Sequence, residues 1–403
     1  MNLRRFRPAA LAAPASAALL VAGVLLAGAA RPASAQIVQT TAVPFLQIEP
    51  DSRAAGMGMT GVAVADNASA LFWNPAGLAG QEGAEVTFTH APWLPNLGAD
   101  LFFEYLAGKY AVPGVGTFAG HITFLNLGEQ TATDPDGNEL GEFKSYDLAV
   151  GASYGRQVLP TLSVGGGARF IYSNLSGNFN AGGEATKAGT ALALDLGVLW
   201  RPDVGSENIH PSLGLNLANM GPHISYSVAS DRGGDAIPSN IRLGGALEYE
   251  IDDFNRVTFA VDANKLLVAR KEEGNDGIDN DGDGEVDEAD EGGFEPFTSA
   301  LFSSWKSITV DLDGGEPDNA ETVGLLRQFT YGLGAEYWYN DLFAIRTGYF
   351  YEDPLNGNRQ FLTFGAGIRY SLVGVDLSYI YALEENSPLS EQIRFSVMLN
   401  VNR

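Results

Sequence analysis

The strongest constraint on this chain is a two-residue alternation of apolar and polar side chains, recurring in segments of about ten residues. In "FTYGLGAEYWY", Phe329, Tyr331, Leu333, Ala335, Tyr337 and Tyr339 alternate with Thr330, Gly332, Gly334 and Glu336. "LALDLGVLW" sets Leu192, Leu194, Leu196, Val198 and Trp200 against Asp195 and Gly197, and "YDLAVGASYG" and "SLGLNLANM" repeat the theme. A helix would return side chains to one face every 3.6 residues or so, which this pattern does not follow. Clusters of Gly, Pro, Asn and Asp separate the segments, as turns require. About fourteen segments run from Ala84 to the end, two of them at roughly 116–127 and 143–156.

The polar face holds glycine, serine, asparagine and single charges such as Arg169, Asp195, Glu336, Arg369 and Asp376. A secreted β-sandwich or propeller is the soluble alternative. The expectation is an all-β fold, a transmembrane antiparallel β-barrel of about 14 strands with lipid on its apolar face. Glycines facing the lumen leave room for a plug. Aromatic residues near strand ends (Tyr154, Tyr172, Trp200, Trp338, Tyr339, Tyr349, Tyr351 and Tyr381) fit interfacial girdles.

The ends of the chain agree with export. Arg4, Arg5 and Arg7 precede an apolar run from Ala9 to Ala30, and Ala33-Ser34-Ala35 reads as a small-x-small cleavage site. The run is long enough for a membrane anchor, but Pro14, the alanines and the cleavage site point to a removed signal peptide over residues 1–35. There is no cysteine, which excludes lipoprotein anchoring, disulfides and thiol catalysis. The formal charge of the whole chain is -25, and the leader carries four arginines and no acid. Such an acidic mature chain repels nucleic acid and anionic surfaces. No later apolar run reaches the length of a spanning helix.

Two regions break the alternation. Residues 36–83 read as irregular chain with one short helical turn, an N-terminal plug or periplasmic-side segment. Asp66 or Asn67 caps the turn and Pro75 ends it. Residues 269–327 form a long insertion within the barrel unit 84–403, placed outside the cell because barrels carry long connections there.

The N-terminal stretch "DNASALFWNPAGLA" resembles a signature of FadL-type outer-membrane transporters, fourteen-stranded barrels with an N-terminal plug. "FLQIEPDSRAAGMGMTGVA" and the C-terminal "VDLSYIYALEENSPLSEQIRFSV" narrow the resemblance to the PorV/PorQ family. That resemblance implies an outer-membrane protein of type IX secretion without catalytic residues. Such a protein binds the C-terminal signal domains of cargo through extracellular loops. It passes them from the translocon to an attachment complex with a PorU-like sortase. The alternative implied by the wider likeness is a FadL-like carrier of hydrophobic small molecules. One departure is the C-terminus: many barrels end in an aromatic residue, whereas this chain ends "MLNVNR", with Phe395 inside the last segment.

Most chemically distinctive is "DNDGDGEVDEAD", beginning at Asp279. It puts Asp279, Asp281 and Asp283 at alternate positions, Gly284 at a sharp turn, a Glu285 carbonyl next, then Asp287 and Asp290. Hard oxygen ligands at this spacing suit calcium in a structural loop. The flanks lack the helices of an EF-hand, and a solvated acidic loop is the plainer alternative. Gly151-Ala152-Ser153-Tyr154-Gly155 matches a hydrolase nucleophile elbow in letters only, because it lies on an alternating strand rather than a strand-to-helix turn. His90, His121, His210 and His223 show no ligand spacing.

Overall fold

The computed structural model describes residues 41–97, 100–133, 138–175, 186–228, 234–269, 294–311, 320–384 and 387–401. Alternation becomes strand throughout. The first nine strands are β1 (Ala84–Pro92), β2 (Phe102–Val112), β3 (Gly116–Thr133), β4 (Glu139–Leu159), β5 (Leu162–Asn174), β6 (Gly189–Trp200), β7 (Ile209–Met220), β8 (Asn240–Asp252) and β9 (Asn255–Leu266). A small hairpin, β10 (Ile308–Asp311) with β11 (Ala320–Val323), precedes the last five. These are β12 (Phe329–Tyr339), β13 (Phe343–Tyr351), β14 (Gln360–Tyr370), β15 (Val373–Ala382) and β16 (Ile393–Val401). Leaving out β10 and β11, each strand pairs antiparallel with its chain neighbour, and β1 closes on β16 through Ala84↔Val401 to His90↔Phe395. The result is a closed 14-strand barrel, as the segment count predicts.

Closure gives each strand an outer and a lumen face. β6 alternates buried and exposed along its entire length, with Leu192, Leu194 and Leu196 more than half exposed on the outer wall. Lipid is the medium that accepts such a wall. Rings of Phe102, Phe124, Tyr146 and Tyr172 form an outward row across β2 to β5, with successive centroids 5.9–6.0 Å apart. That row is a girdle segment. Trp338 is a correction to the expected girdle. It points into the lumen, 6 % exposed, beneath the guanidiniums of Arg346 and Arg369. Its even position in β12 puts it on the face of Glu336, and parity overrides closeness to the strand end.

Two strands outrun the alternation. Pairing of β2 with β3 ends at Phe102↔Asn126, and pairing of β4 with β5 ends at Tyr146↔Asn174. The β3–β4 ladder nonetheless continues to Thr133↔Glu139 across a register shift after Asn126. This ribbon stands clear of the barrel wall and has no lipid face to cover, so its residues show no apolar period.

Connections at the rim carrying the start of β1 and the end of β16 are short, such as 160–161 and 253–254. Those at the opposite rim are longer, including 221–239 and 267–328. The lumen between the rims is filled by residues 41–83. The backbone amide of Ala42 meets the carbonyl of Ala236 at the long-connection rim, and Ala111 donates to the Gly83 carbonyl at the other. The plug holds two single-turn helices, α1 (Ser52–Ala55) and α2 (Ala70–Trp73), and a 3-10 turn at Pro75–Leu78.

Local chemistry explains these turns. Asp51 caps α1 by accepting from the Ala54 amide at 2.8 Å. Pro75 drives Asn74 into an extended conformation (φ -167°, ψ 104°) that ends α2, and the Asn74 side chain then caps the 3-10 turn through the Ala76 amide. Asn67 accepts from the Ser69 amide at 2.8 Å, whereas Asp66 turns to Arg53.

Candidate functional site: the plugged mouth of the barrel

Glycines on the lumen face act as sockets for the plug backbone. A Cβ at Gly348 would lie 2.1 Å from the Gly58 nitrogen, one at Gly165 2.3 Å from Pro75, and one at Gly214 2.6 Å from the Val62 carbonyl. Any larger residue there would displace the plug. Gly58 itself holds φ +66°, where its own missing side chain is also required.

Lumen charges that look isolated in sequence are paired in space. Glu336 accepts from Arg53 Nε at 2.9 Å and Arg53 Nη2 at 2.7 Å, a two-pronged clasp between α1 and β12. Arg346 donates to Glu336 at 2.6 Å and to Asp376 at 2.7 Å, and Arg369 donates to Asp376 at 2.6 Å. Arg53 also meets Asp66 at 2.5 Å, so these six side chains sum to zero charge. Across the lumen, Arg169 and Asp195 pair at 2.7 Å. Asp262 on β9 receives the amides of Gly61 and Val62 at 2.7 and 2.9 Å.

Within the plug, Asp51 accepts from Trp73 Nε1 at 2.7 Å as well as from Ala54. Burial raises its carboxyl above the ordinary aspartate range, opposed by those two hydrogen bonds. Burial works against the charged form of Arg53, but the Asp66 and Glu336 carboxylates hold its guanidinium well above its usual range.

At the long-connection rim the plug leaves a cavity of about 320 Å³. Its lining includes Gln47 and Glu49 of the plug, Phe72 and Trp73, whose rings pack edge-on 5.0 Å apart, and Asn264, Gln328 and Arg359. A neighbouring hollow of about 150 Å³ shares Gln47, Glu49 and Arg359 with it. Arg359 is clasped by Glu352 at 2.6 and 3.0 Å, and Arg394 holds the Glu49 carbonyl. Among the described residues, the buried atoms Asn264 Oδ1 and Gln328 Oε1 have no hydrogen-bond partner. The chamber therefore offers aromatic rings and paired charges.

The calcium ligands expected from sequence, Asp279, Asp281, Asp283, Glu285, Asp287 and Asp290, lie outside the described residues. Among the described residues, no group of three or more His, Asp or Glu side chains is arranged to hold a metal ion. Ser153 is buried on the lumen face within β4, between strand residues on both sides. The residues that sequence reasoning missed are Arg53, Asp51, Asp262, Arg346 and the Glu352–Arg359 clasp. For Asp262 and Arg346 the signal was available, since each is a charge on the lumen face of a strand. Arg53 had none, because its partner is 283 residues away.

The family model described as type IX secretion system protein PorV matches residues 31–273, more than half of the chain. No curated protein is matched by sequence. Among solved structures, the Pseudomonas putida toluene transporter TodX is similar at a TM-score of 0.51 and 12% identity, with 88% of this chain and 99% of that chain covered. A TodX deltaS2S3 mutant, a monoaromatic hydrocarbon channel, gives 0.50 at 14% identity, covering 89% and 100%. The Ralstonia pickettii toluene transporter TbuX gives 0.45 at 14% identity, covering 87% and 96%. The two TodX likenesses establish a shared barrel fold.

Proposed function

The chain belongs to the PorV family of type IX secretion system proteins, and from that premise we propose that it is a non-enzymatic docking protein of the outer membrane. In this reading its long connections face outward and bind the C-terminal signal domains of cargo. The protein then carries them from the translocon to the attachment complex with its PorU-like sortase. The observation that carries the proposal, beside family membership, is the plugged lumen. Sockets, ion pairs and backbone hydrogen bonds bind the plug on several sides of the wall. A folded domain cannot pass through a lumen so filled, which supports a reading in which cargo is held at the mouth. Photo-cross-linkers in segments 352–359 and 383–392 should trap cargo bearing the signal domain in cells. Normal secretion in a deletion strain, with no cargo trapped, would overturn the proposal.

A second reading, passage of small hydrophobic solutes, draws on the mouth cavity, whose volume falls within the range of small-molecule pockets. The polar and charged lining of Gln47, Glu49, Arg242, Asp262 and Arg359 weighs against it, because an apolar solute would desolvate those groups without offering them a hydrogen bond. Solute uptake lost in the deletion strain with secretion intact would favour this second reading.

A further inference from the structure

In the described part of the connection between β9 and β12, one stretch reaches the outer face of the barrel at the rim. The connection contains α3 (Phe297–Ser303), then Trp305, the β10–β11 hairpin, and a 3-10 turn at Leu325–Gln328. The Trp305 ring lies 6.4 Å from the ring of Phe329 and 5.9 Å from Lys265 Nζ. Phe329 and Lys265 oppose each other across β9 and β12, in register with the outward pairs Tyr331↔Ala263 and Leu333↔Val261. Trp305 therefore covers the outer wall and not the lumen. Coverage shows in Phe329, which is 8 % exposed while Leu333, four residues on along the same face, is 43 % exposed.

The next outward residue of β12 ties the 3-10 turn to the same place. Tyr331 donates its hydroxyl to the Leu326 carbonyl at 2.9 Å. Gln328 donates to the Lys306 and Val323 carbonyls and so holds the connection against the top of β12. On this anchored segment Phe302 and Leu326 stand out, 77 and 73 % exposed. Phe302 lies in the last turn of α3, three residues before Trp305.

Phe329 is two residues from Tyr331, a rise of about 7 Å along a strand. The apolar segment thus begins within one residue pair of the lipid-facing wall, beside an outward tyrosine. Aromatic and aliphatic side chains at that height belong in the headgroup–acyl boundary.

We propose that α3, Trp305 and the Leu325–Gln328 turn form an apolar foot seated in the lipid leaflet around the long-connection rim. Phe302 and Leu326 enter the acyl boundary, and Trp305 bridges them to the wall. The occupant follows from continuity with the lipid-facing surface of β9 and β12, where Phe259 and Val261 are already exposed to the bilayer. The foot brings the long insertion to the membrane surface at this end, whatever the loop binds.

The absence of cysteine makes the test direct, since Phe302→Cys and Leu326→Cys each introduce a lone thiol. Each variant is nitroxide-labelled and reconstituted in phosphatidylcholine vesicles, and collisions with oxygen and with a water-soluble nickel chelate are measured. Leu196→Cys on the lipid-facing wall and Ser206→Cys in the short connection 201–208 supply the lipid and water references. The oxygen-to-nickel ratio at both foot positions should approach that at Leu196 and exceed that at Ser206 several-fold. A ratio equal to that at Ser206 overturns the proposal. So does an immobilised label shielded from both reagents, which would mean that protein covers the patch. Neither result depends on the secretion reading, because the purified barrel alone is used.

Discussion

Replacing Glu336 with glutamine removes the carboxylate shared by Arg53 of the plug and Arg346 of the wall. Glu336 is 1 % exposed, and three guanidinium nitrogens donate to it between 2.6 and 2.9 Å. At an effective dielectric near 20, each of the two charge pairs, Arg53–Glu336 and Arg346–Glu336, is an attraction of roughly 4 kcal/mol, offset by the desolvation of the groups that make it. Removing one member of a buried pair typically costs about 3–5 kcal/mol, because the remaining charge is stranded. Here neither arginine is wholly stranded. Arg53 keeps Asp66 at 2.5 Å and Arg346 keeps Asp376 at 2.7 Å. The expected loss therefore lies near the lower bound, about 3 kcal/mol. Asp341→Asn is the control: its bond to Arg256 is 3.1 Å long and both side chains are substantially exposed, so the loss should stay below about 1 kcal/mol. Both variants are measured by reversible urea unfolding in lipid vesicles. Limited proteolysis of residues 41–83 reports separately on plug release. A loss below about 1 kcal/mol for Glu336→Gln would refute the reasoning, since the cluster would then behave as a hydrated surface pair.

Gly348→Leu should unseat the plug without opening the barrel: its Cβ would meet the Gly58 nitrogen at 2.1 Å, so proteolysis of residues 41–83 should rise while heat-modifiable migration of the barrel persists. Asp51 gives a pH dependence. Its folded pKa is raised by burial, so its contribution to stability is complete below the unfolded value of 3.8 and is lost as pH rises through the folded value. Asp51→Asn does not titrate, so its destabilisation relative to the natural protein should shrink from acidic to neutral pH in urea titrations; a constant difference would exclude the effect. Calcium binding by Asp279, Asp281, Asp283, Glu285, Asp287 and Asp290 remains a proposal. Calorimetry on the whole protein should show calcium heat that Asp281→Ala removes, and no heat at millimolar calcium would end the idea.

The sequence by itself determined the barrel, because a two-residue period needs no knowledge of distant contacts: parity assigns each side chain to lipid or lumen. Leu192 to Trp200 could be sorted in this way before any pairing was known. It also indicated the plug, through glycines on the lumen face and the Asn74-Pro75 break. Parity was equally available for Trp338, whose place near a strand end drew it wrongly into the girdle. Tertiary structure alone decided what closure brings together. Arg53 meets Glu336 across 283 residues, and Trp305 lies on Phe329 outside the wall instead of joining the mouth. Such pairings depend on barrel radius, strand tilt and the path of the plug, which no local period encodes. The extension of β3 to Thr133 and β4 back to Glu139 was invisible for a related reason. Beyond the bilayer, backbone pairing continues but the solvent no longer demands an apolar face, so the signal that marks a membrane strand disappears while the strand does not.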